Sequence, residues 1–261
     1  MPGPDAYIEV DDLSVAYPDR TAANKHLLAI DHLSLSIPRG AFISVVGSNG
    51  CGKTTLLLCL AGLLKPTSGT VRIAGVSPAK TTCGFVFQNY RESLYPWLTV
   101  LDNIAMPLWM DGSSRQKARQ EAADLMTRLK IDLPVERFPY TLSGGQQQLT
   151  ALLRAVIHTP TVLLLDEPLG ALDVGSRSEL RDAIQRIREA IGATTVLVTH
   201  DLNEAILLAD TVVALTPRPA RIAEELEIRL PRPRSQEVLQ DPKILGWRDR
   251  LHTAMLGTQT P

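Results

Sequence analysis

The stretch Gly47-Ser48-Asn49-Gly50-Cys51-Gly52-Lys53-Thr54-Thr55 lies between two apolar runs, Phe42-Ile43-Ser44-Val45-Val46 and Leu56-Leu57-Leu58-Cys59-Leu60. A strand, a glycine loop and a helix in this order are the context that a phosphate-binding loop requires. Glycines let the backbone approach phosphate oxygens closely, and a helix N-terminus favours negative charge. The sequence therefore predicts that this loop binds a phosphorylated ligand. We expect Lys53 to reach the terminal phosphates and Thr54 to offer its hydroxyl to Mg²⁺.

Two acids follow another apolar run, in the order Val162-Leu163-Leu164-Leu165-Asp166-Glu167. This pattern places Asp166 at the carboxyl end of a buried parallel strand, where ligands of open α/β sheets collect. Asp166 is predicted to hold Mg²⁺ through water, and Glu167 to polarise the attacking water. The alternative is a pair of surface acids that ends a strand.

Two further polar residues also follow apolar strands. His200 comes after Thr195-Val196-Leu197-Val198-Thr199, and Gln88 comes after Phe85-Val86-Phe87. Beside a magnesium and triphosphate site, His200 is predicted to orient the γ-phosphate, although a lone histidine is usually structural. Gln88 is predicted to contact the metal or its water, although by itself it would be an ordinary loop residue. The predicted metal set is Thr54, Gln88 and Asp166.

A second glycine motif, Leu142-Ser143-Gly144-Gly145-Gln146, opens a predicted helix. Ser143, Gly144, Gly145 and Gln146 would form another phosphate-binding helix terminus. One domain cannot bring this terminus onto its own phosphate loop if the intervening helices form a separate lobe. Two copies related by a C2 axis would instead form two composite ATP sites. The alternative is a glycine turn that only caps a helix.

The order of the elements predicts an α/β fold. Strand patterns alternate with helical patterns around the phosphate loop and after residue 160, so we expect a mainly parallel sheet with helices on its faces. With its phosphate loop, this part of the chain resembles a P-loop NTPase (RecA-like) core. Antiparallel N-terminal strands and an inserted helical subdomain complete this prediction. The predicted ATPase domain spans 5–230, with its core at 5–88 and 159–230 and the helical subdomain at 89–158.

Residues 231–261 are predicted to form a tail with a short amphipathic helix. Asp241 and Pro242 provide its start, Gly257 provides its stop, and the residues Ile244, Trp247, Leu251 and Met255 form one apolar stripe. The helix either docks on its own domain or binds a partner.

The composition is that of a globular protein. The 261 residues are 44% hydrophobic and 21% charged, with a net charge of −1. Without a basic excess there is no electrostatic argument for nucleic acid as a partner. Cys51, Cys59 and Cys83 lack metal-ligand spacing, and the start Met1-Pro2-Gly3-Pro4 carries no signal-like pattern. A reducing cytosol and, at most, a peripheral membrane role are therefore expected, because no run reaches about 18 apolar residues.

In combination, the phosphate loop, Leu142-to-Gln146 and Asp166-Glu167 resemble the ATP-binding subunits of ABC transporters. The likeness covers Tyr7 to about Arg234. It implies ATP and Mg²⁺ as cofactors and hydrolysis of ATP coupled to transport. It also implies three kinds of partner: a second copy in an ATP-sandwich dimer, two transmembrane permease subunits and, indirectly, an extracytoplasmic solute-binding protein. No nucleic acid is expected as a partner. The implied location is the cytoplasmic face of the inner membrane.

The resemblance also assigns roles to single positions. Tyr17 is similar to the aromatic residue that stacks on adenine, and Gln88 to the glutamine that links the metal to the transmembrane partner. Ala171-Leu172-Asp173 resembles the loop that signals between the two sites of the dimer, and His200 the switch histidine.

Three segments resemble the importer branch for nitrate, sulfonate, taurine and similar small anions. They are Pro96-Trp97, Glu167 to Asp173, and Arg218-Pro219-Ala220-Arg221-Ile222 with Leu230-Pro231-Arg232-Pro233-Arg234. Two departures from the family pattern are Leu149, in place of a usual basic residue, and Ser48-Asn49, in place of a proline-serine pair. Either departure would lower affinity or rate without removing a chemical group that the reaction needs.

The segment Asn89 to Trp97 carries many apolar side chains for a loop, among them Tyr90, Leu94, Tyr95 and Trp97. These side chains either pack inside the helical lobe or line a groove for a cytoplasmic helix of the membrane subunit.

Two other classes of protein also contain an ATP site of this kind. A soluble, non-transport ABC protein usually has two cassettes or long coiled-coil insertions, and neither occurs in this sequence. A regulatory module that holds ATP without hydrolysis is disfavoured by Glu167 and His200.

Overall fold

The computed structural model describes residues 6–18, 26–170 and 172–257. They form two compact units, a first unit of Met1–Thr81 with Thr194–Pro261 and a second unit of Thr82–Ala193. Residue 5, where the ATPase domain was predicted to begin, lies outside the described residues, as do Ala171 of the predicted signalling loop and 258–261 of the tail.

The strands are β1 Ala6–Pro18, β2 His26–Pro38, β3 Phe42–Val46, β4 Ser68–Ile73, β5 Cys83–Val86, β6 Val162–Asp166, β7 Thr194–Thr199, β8 Thr211–Leu215 and β9 Ile222–Glu227. The α-helices are α1 Lys53–Leu60, α2 Tyr90–Ser93, α3 Val100–Met110, α4 Arg115–Leu129, α5 Gly144–Val156, α6 Val174–Ile191, α7 Leu202–Leu208 and α8 Pro242–Leu256. Short 3₁₀ turns cover Pro78–Lys80, Pro139–Thr141 and Gln236–Gln240. Across the described ranges, no helix has the length and apolar content to cross a membrane.

The first unit contains both kinds of sheet that the sequence predicts. β2, β1 and β4 form an antiparallel sheet. β7, β3 and β8 run parallel, with β9 antiparallel along β8. All five residues of β3 are buried, as expected for a strand covered on both faces.

The second unit combines the parallel pair β5 and β6 with helices α2 to α6. Helix α4 has one apolar stripe, and its residues Ala118, Ala122, Leu125, Met126 and Leu129 are all buried. Ser114 caps the start of this helix, because its side chain accepts the backbone N–H of Lys117. This side-chain bond satisfies a donor that has no acceptor inside the helix.

The tail helix α8 docks on the first unit, where it packs against α7, β8 and β9. Asp241 caps its start, and Gly257 ends it in the left-handed conformation. Ile244, Leu251 and Met255 are buried and Trp247 is half-buried, so most of the predicted stripe faces the helix's own unit, as the docking alternative requires.

The compact units do not follow the predicted domain boundaries. The second unit contains the predicted helical subdomain, 89–158, but also β5, β6 and α6, which were assigned to the core. The predicted tail belongs to the first unit. The compact units are defined by contacts, whereas the predicted domains are defined by the roles of their residues. The predicted boundaries 5–88, 89–158, 159–230 and 231–261 stay predictions.

Candidate nucleotide-binding site

The phosphate loop lies in the first unit and wraps around Lys53. The Lys53 Nζ donates to the backbone oxygens of Gly47 at 2.9 Å and Ser48 at 3.1 Å, and the side chain is buried. The helix α1 begins at Lys53, and its cap residue Gly52 has no side chain to bond the first N–H groups. These N–H groups lack acceptors within the helix, so they favour an anion. Thr54, in the first turn, has an exposed side chain.

Strand register brings His200 to the loop. β3 and β7 are parallel, and their last residues, Val46 and Thr199, are paired. Gly47 and His200 therefore leave the sheet side by side at one edge. His200 is exposed, and Asp201 next to it caps α7 through two backbone N–H groups, so the chain after the strand is held at that edge.

Tyr17 lies beside the same helix. Its hydroxyl is 3.2 Å from the hydroxyl oxygen of Thr55, in the first turn of α1. This contact joins the predicted adenine-stacking residue to the predicted phosphate-binding element. Stacking on adenine stays a prediction.

The second unit brings Gln88, Asp166 and Glu167 together in the same manner. β5 and β6 are parallel, with Val86 paired to Leu165. Gln88 and the pair Asp166-Glu167 thus follow neighbouring strands at one sheet edge. Asp166 is 2% exposed, whereas Glu167 is half-buried and Gln88 is exposed.

Glu167 has a strained backbone. Its φ is +45°, in the left-handed region that costs a non-glycine residue about 1–3 kcal/mol. A hydrogen bond from the Gly170 N–H to the Glu167 carbonyl, 3.2 Å long, closes the turn. Such strain is frequent at functional sites, and the role of Glu167 as a catalytic base stays a prediction.

Ser143 caps α5 in the second unit. Its hydroxyl accepts the Gln146 N–H at 3.3 Å, and the Gln146 side chain accepts the Ser143 N–H at 3.1 Å. This capping box is the structure that the cap-only alternative predicts. With this capping box, Ser143 is exposed at the start of the helix. Binding of a phosphate held by a second copy also requires an exposed Ser143. The two interpretations therefore share one geometry.

The rest of this motif is fixed by packing. A Cβ on Gly145 would lie 2.7 Å from the Ser176 Oγ, so only glycine fits against α6. Leu149, which replaces a usual basic residue, is 1% exposed and belongs to the core of the second unit. Its neighbour Gln148 is fully buried, and neither its amide nitrogen nor its amide oxygen has a hydrogen-bond partner in the described structure.

The donor groups suit the ligands that the resemblance implies. A hydroxyl on Thr54, an amide on Gln88 and a carboxylate on Asp166 offer the hard oxygen atoms that Mg²⁺ prefers. The Lys53 ammonium and the start of α1 offer positive charge for phosphates. Sequence reasoning missed one further contact with the loop, from the Arg218 side chain to the Gly50 carbonyl oxygen at 2.8 Å.

Residues 30–170 match the ABC transporter family. The chain is 42% identical over 219 residues to the aliphatic sulfonates import ATP-binding protein SsuB 1 of Mesorhizobium japonicum, covering 84% of this chain and 81% of that protein. It is 38% identical over 230 residues to the nitrate transport protein NasD of Klebsiella oxytoca, covering 85% and 86%. The dimeric ATP-binding cassette MJ0796, in a post-hydrolysis state bound to ADP and Pi, aligns with a TM-score of 0.74 and 28% identity over 85% of this chain and 99% of that chain.

These likenesses confirm the predicted fold, since the alignment covers 85% of this chain and 99% of the cassette. The family match and the two relatives agree with each other. The chain therefore belongs to the ABC transporter family, as one of its ATP-binding subunits.

Proposed function

We propose that this subunit hydrolyses ATP to drive an importer of a small anion. Two copies close around two ATP molecules and transmit that closure to two transmembrane permease subunits. The observation that carries the proposal is the placement of the polar residues at sheet edges: Gly47 with His200 in the first unit, and Gln88 with Asp166 in the second. Binding and hydrolysis of a nucleoside triphosphate need both sets of groups.

Each residue has a proposed role. Residues 47–55 with Lys53 bind the phosphates, and Tyr17 stacks on the adenine. Thr54, Gln88 and Asp166 hold Mg²⁺, which when bound neutralises charge on the phosphate oxygens. Glu167 accepts the proton of the attacking water, and His200 orients the γ-phosphate. Ser143 to Gln146 bind the phosphates of the ATP held by the second copy.

The transported solute is proposed from the relatives. One of the two is named for the import of aliphatic sulfonates and the other for the transport of nitrate. Both solutes are small oxyanions, so we propose a sulfonate, taurine, nitrate or a similar anion. An extracytoplasmic solute-binding protein delivers it, and the ATP-binding subunit lies on the cytoplasmic face of the inner membrane without contacting the solute or nucleic acid.

The test is reconstitution with the permease in proteoliposomes. The tagged subunit should copurify with an integral membrane protein from solubilised membranes. In proteoliposomes, ATP hydrolysis should rise when a binding protein loaded with one of these anions is added on the outer side. Hydrolysis that is unaffected by the permease, together with no copurifying membrane protein, would contradict the proposal. The Glu167→Gln variant supplies the inactive control for the same preparation.

A further inference from the structure

The connection between β8 and β9 is a closed turn in the first unit. The Thr216 hydroxyl donates to the Pro219 oxygen at 3.1 Å and accepts the Arg221 N–H at 3.0 Å. The Thr216 N–H donates to the Arg221 oxygen at 2.9 Å. Outside the turn, the Arg221 guanidinium donates to Asp31 of β2. We refer to residues 216–221 as the 216–221 turn. The bonds of Thr216 hold its shape, and the bonds from Arg221 to Asp31 hold it against β2.

The turn packs against the last glycine of the phosphate loop. Ala220 exchanges backbone hydrogen bonds with β2, donating to the Ala29 oxygen at 2.9 Å and accepting the Asp31 N–H at 3.0 Å. A Cβ on Gly52 would lie 2.9 Å from that Ala29 oxygen and 3.2 Å from the Ala220 Cβ. Gly52 has a φ of +132°, which only glycine adopts readily. The 216–221 turn therefore packs directly against Gly52 and leaves no room for a side chain there.

From the 216–221 turn, the Arg218 side chain extends to the phosphate loop. Its Nη2 donates to the Gly50 oxygen at 2.8 Å. Gly50 lies in a tight turn that is closed by a hydrogen bond from the Cys51 N–H to the Ser48 oxygen, 3.2 Å long. Lys53 bonds the Gly47 and Ser48 oxygens, so three loop carbonyls accept from cationic side chains. Carbonyl oxygens held in this way point at cations and not at an incoming phosphate, which they would repel.

The charge of Arg218 also acts on the loop. Burial raises the pKa of the Cys51 thiol, and the positive charges of Lys53 and, to a smaller extent, Arg218 oppose that rise. The guanidinium is therefore close enough to influence an ionisable group inside the loop. A bound phosphate carries more negative charge than a thiolate and would interact with the same cation.

We propose that Arg218 is a positioning residue of the phosphate loop. Its guanidinium holds the Gly50 carbonyl, keeps the Ser48-to-Cys51 turn in the conformation that binds phosphates, and adds positive charge beside them. The inference rests on the proposed function, because it concerns ATP binding by the same loop. A loop that spends only a fraction of its time in the competent conformation binds with an affinity reduced by that fraction.

The test compares Arg218→Met and Arg218→Lys with Arg229→Met. Arg229 is a matched control, because it lies in the first unit, is 79% exposed and pairs with Glu227. In nucleotide-free protein, amide hydrogen exchange of residues 47–52 should be about fivefold faster in Arg218→Met, while β3 exchanges as in the wild type. The exchange readout does not depend on activity.

Nucleotide binding provides the second readout. Arg218→Met should weaken binding of both ADP and ATP by about fivefold to tenfold, because either nucleotide places a β-phosphate in the loop. Arg218→Lys should recover part of the loss, since it keeps the charge. The KM for ATP should rise by a similar factor, with kcat at saturating ATP changed by less than about twofold, because a ground-state binding contact is removed.

Two failures can be told apart. If Arg218→Met matches Arg229→Met in exchange and affinity, the positioning role is wrong even though the protein binds ATP. If the wild type binds neither nucleotide, the proposed function is wrong. Should Arg218→Met unfold, Arg218→Gln takes its place in the same comparison, and unchanged affinity in that variant overturns the inference.

Discussion

Arg234 offers the sharpest test of how the first unit is held together. Its side chain is 6% exposed. One guanidinium nitrogen donates to the oxygens of Ile206 at 2.6 Å and Ala209 at 2.5 Å. The second terminal nitrogen, Nη2, donates to the backbone oxygens of Ile228 at 3.0 Å and Leu230 at 3.4 Å. The first pair lies at the end of α7, where helix carbonyls lack donors and the helix dipole is negative, so a cation is favoured there.

The expected cost of Arg234→Met follows from these bonds. A hydrogen bond from a charged group contributes about 1.5–3 kcal/mol, and a buried carbonyl left without a donor costs about 1–3 kcal/mol. The variant also removes the cost of burying a charge, which offsets part of this loss. We therefore expect the free energy of unfolding to fall by about 2–4 kcal/mol, and Tm by about 5–15 °C for a chain of this size.

Thermal unfolding of the nucleotide-free protein, followed by circular dichroism, measures the effect. The exposed Arg229→Met provides the control, and its Tm should change by less than about 2 °C. A drop no larger than that in Arg234→Met would refute the reasoning, because the four carbonyls would then have other donors or water at no cost.

Two further predictions concern the chemistry and the shared site. Glu167→Gln should still bind ATP, because shape and hydrogen bonding are kept, but turnover should fall by about 10²-fold or more and an ATP-bound dimer should accumulate; near-normal turnover would exclude Glu167 as the base. Mixing a Lys53→Ala chain with a Ser143→Arg chain should partly restore ATPase activity, because one composite site of each mixed dimer is intact. Mixed dimers that stay as inactive as either variant alone would show that the sites are not shared.

The elements predicted best are those with local signals. β3, the phosphate loop and α1 follow one another where an apolar run, glycines and a second apolar run meet. The caps of α8 were predicted because Asp241 and Gly257 act on residues next to them. Residues that follow paired parallel strands lie at the same edge of a sheet. His200 therefore lies beside the phosphate loop, and Gln88 lies beside Asp166.

Other features depend on contacts far along the chain. β9 has the sequence Ile-Ala-Glu-Glu-Leu-Glu, whose glutamates do not favour a strand, and its pairing with β8 overrides that preference. α3 contains Pro107 in its interior, a residue type that usually ends or kinks a helix, and packing against its neighbours overrides that preference. The contact of Arg218 with Gly50 spans 168 positions, and no local pattern predicts it.

The aromatic segment before α3 divides into a core part and an exposed part. Tyr90 and Leu94 are 5% and 3% exposed and form a cluster with Ala151, so these two side chains belong to the core of the second unit. Trp97 is 69% exposed, with its ring 5.5 Å from that of Tyr95. The core alternative is therefore confirmed for Tyr90 and Leu94, and a contact of Trp97 with the permease stays a prediction.

The backbone around Trp97 is held by one buried amide. The Asn103 side chain accepts the Tyr95 N–H at 2.9 Å and donates to the oxygens of Tyr95 and Leu98, each at 3.1 Å, and of Thr99 at 3.0 Å. Asn103 is fully buried. A large apolar ring on a fixed backbone loses little conformational entropy on binding, which is the property of an interface anchor.

Trp97→Ser should consequently weaken assembly with the permease while the subunit keeps its stability. Truncation of an aromatic anchor costs about 2 kcal/mol, which is roughly thirtyfold in affinity. Met110→Ser is the matched control, because Met110 is also in the second unit and is 77% exposed. Affinity for the permease is measured with both variants, along with Tm and ATP binding of the isolated subunit. If Trp97→Ser weakens assembly no more than Met110→Ser does, the permease contact must be assigned to another surface. If it lowers Tm markedly, the ring stabilises the fold despite its exposure, and the anchor role fails on that ground.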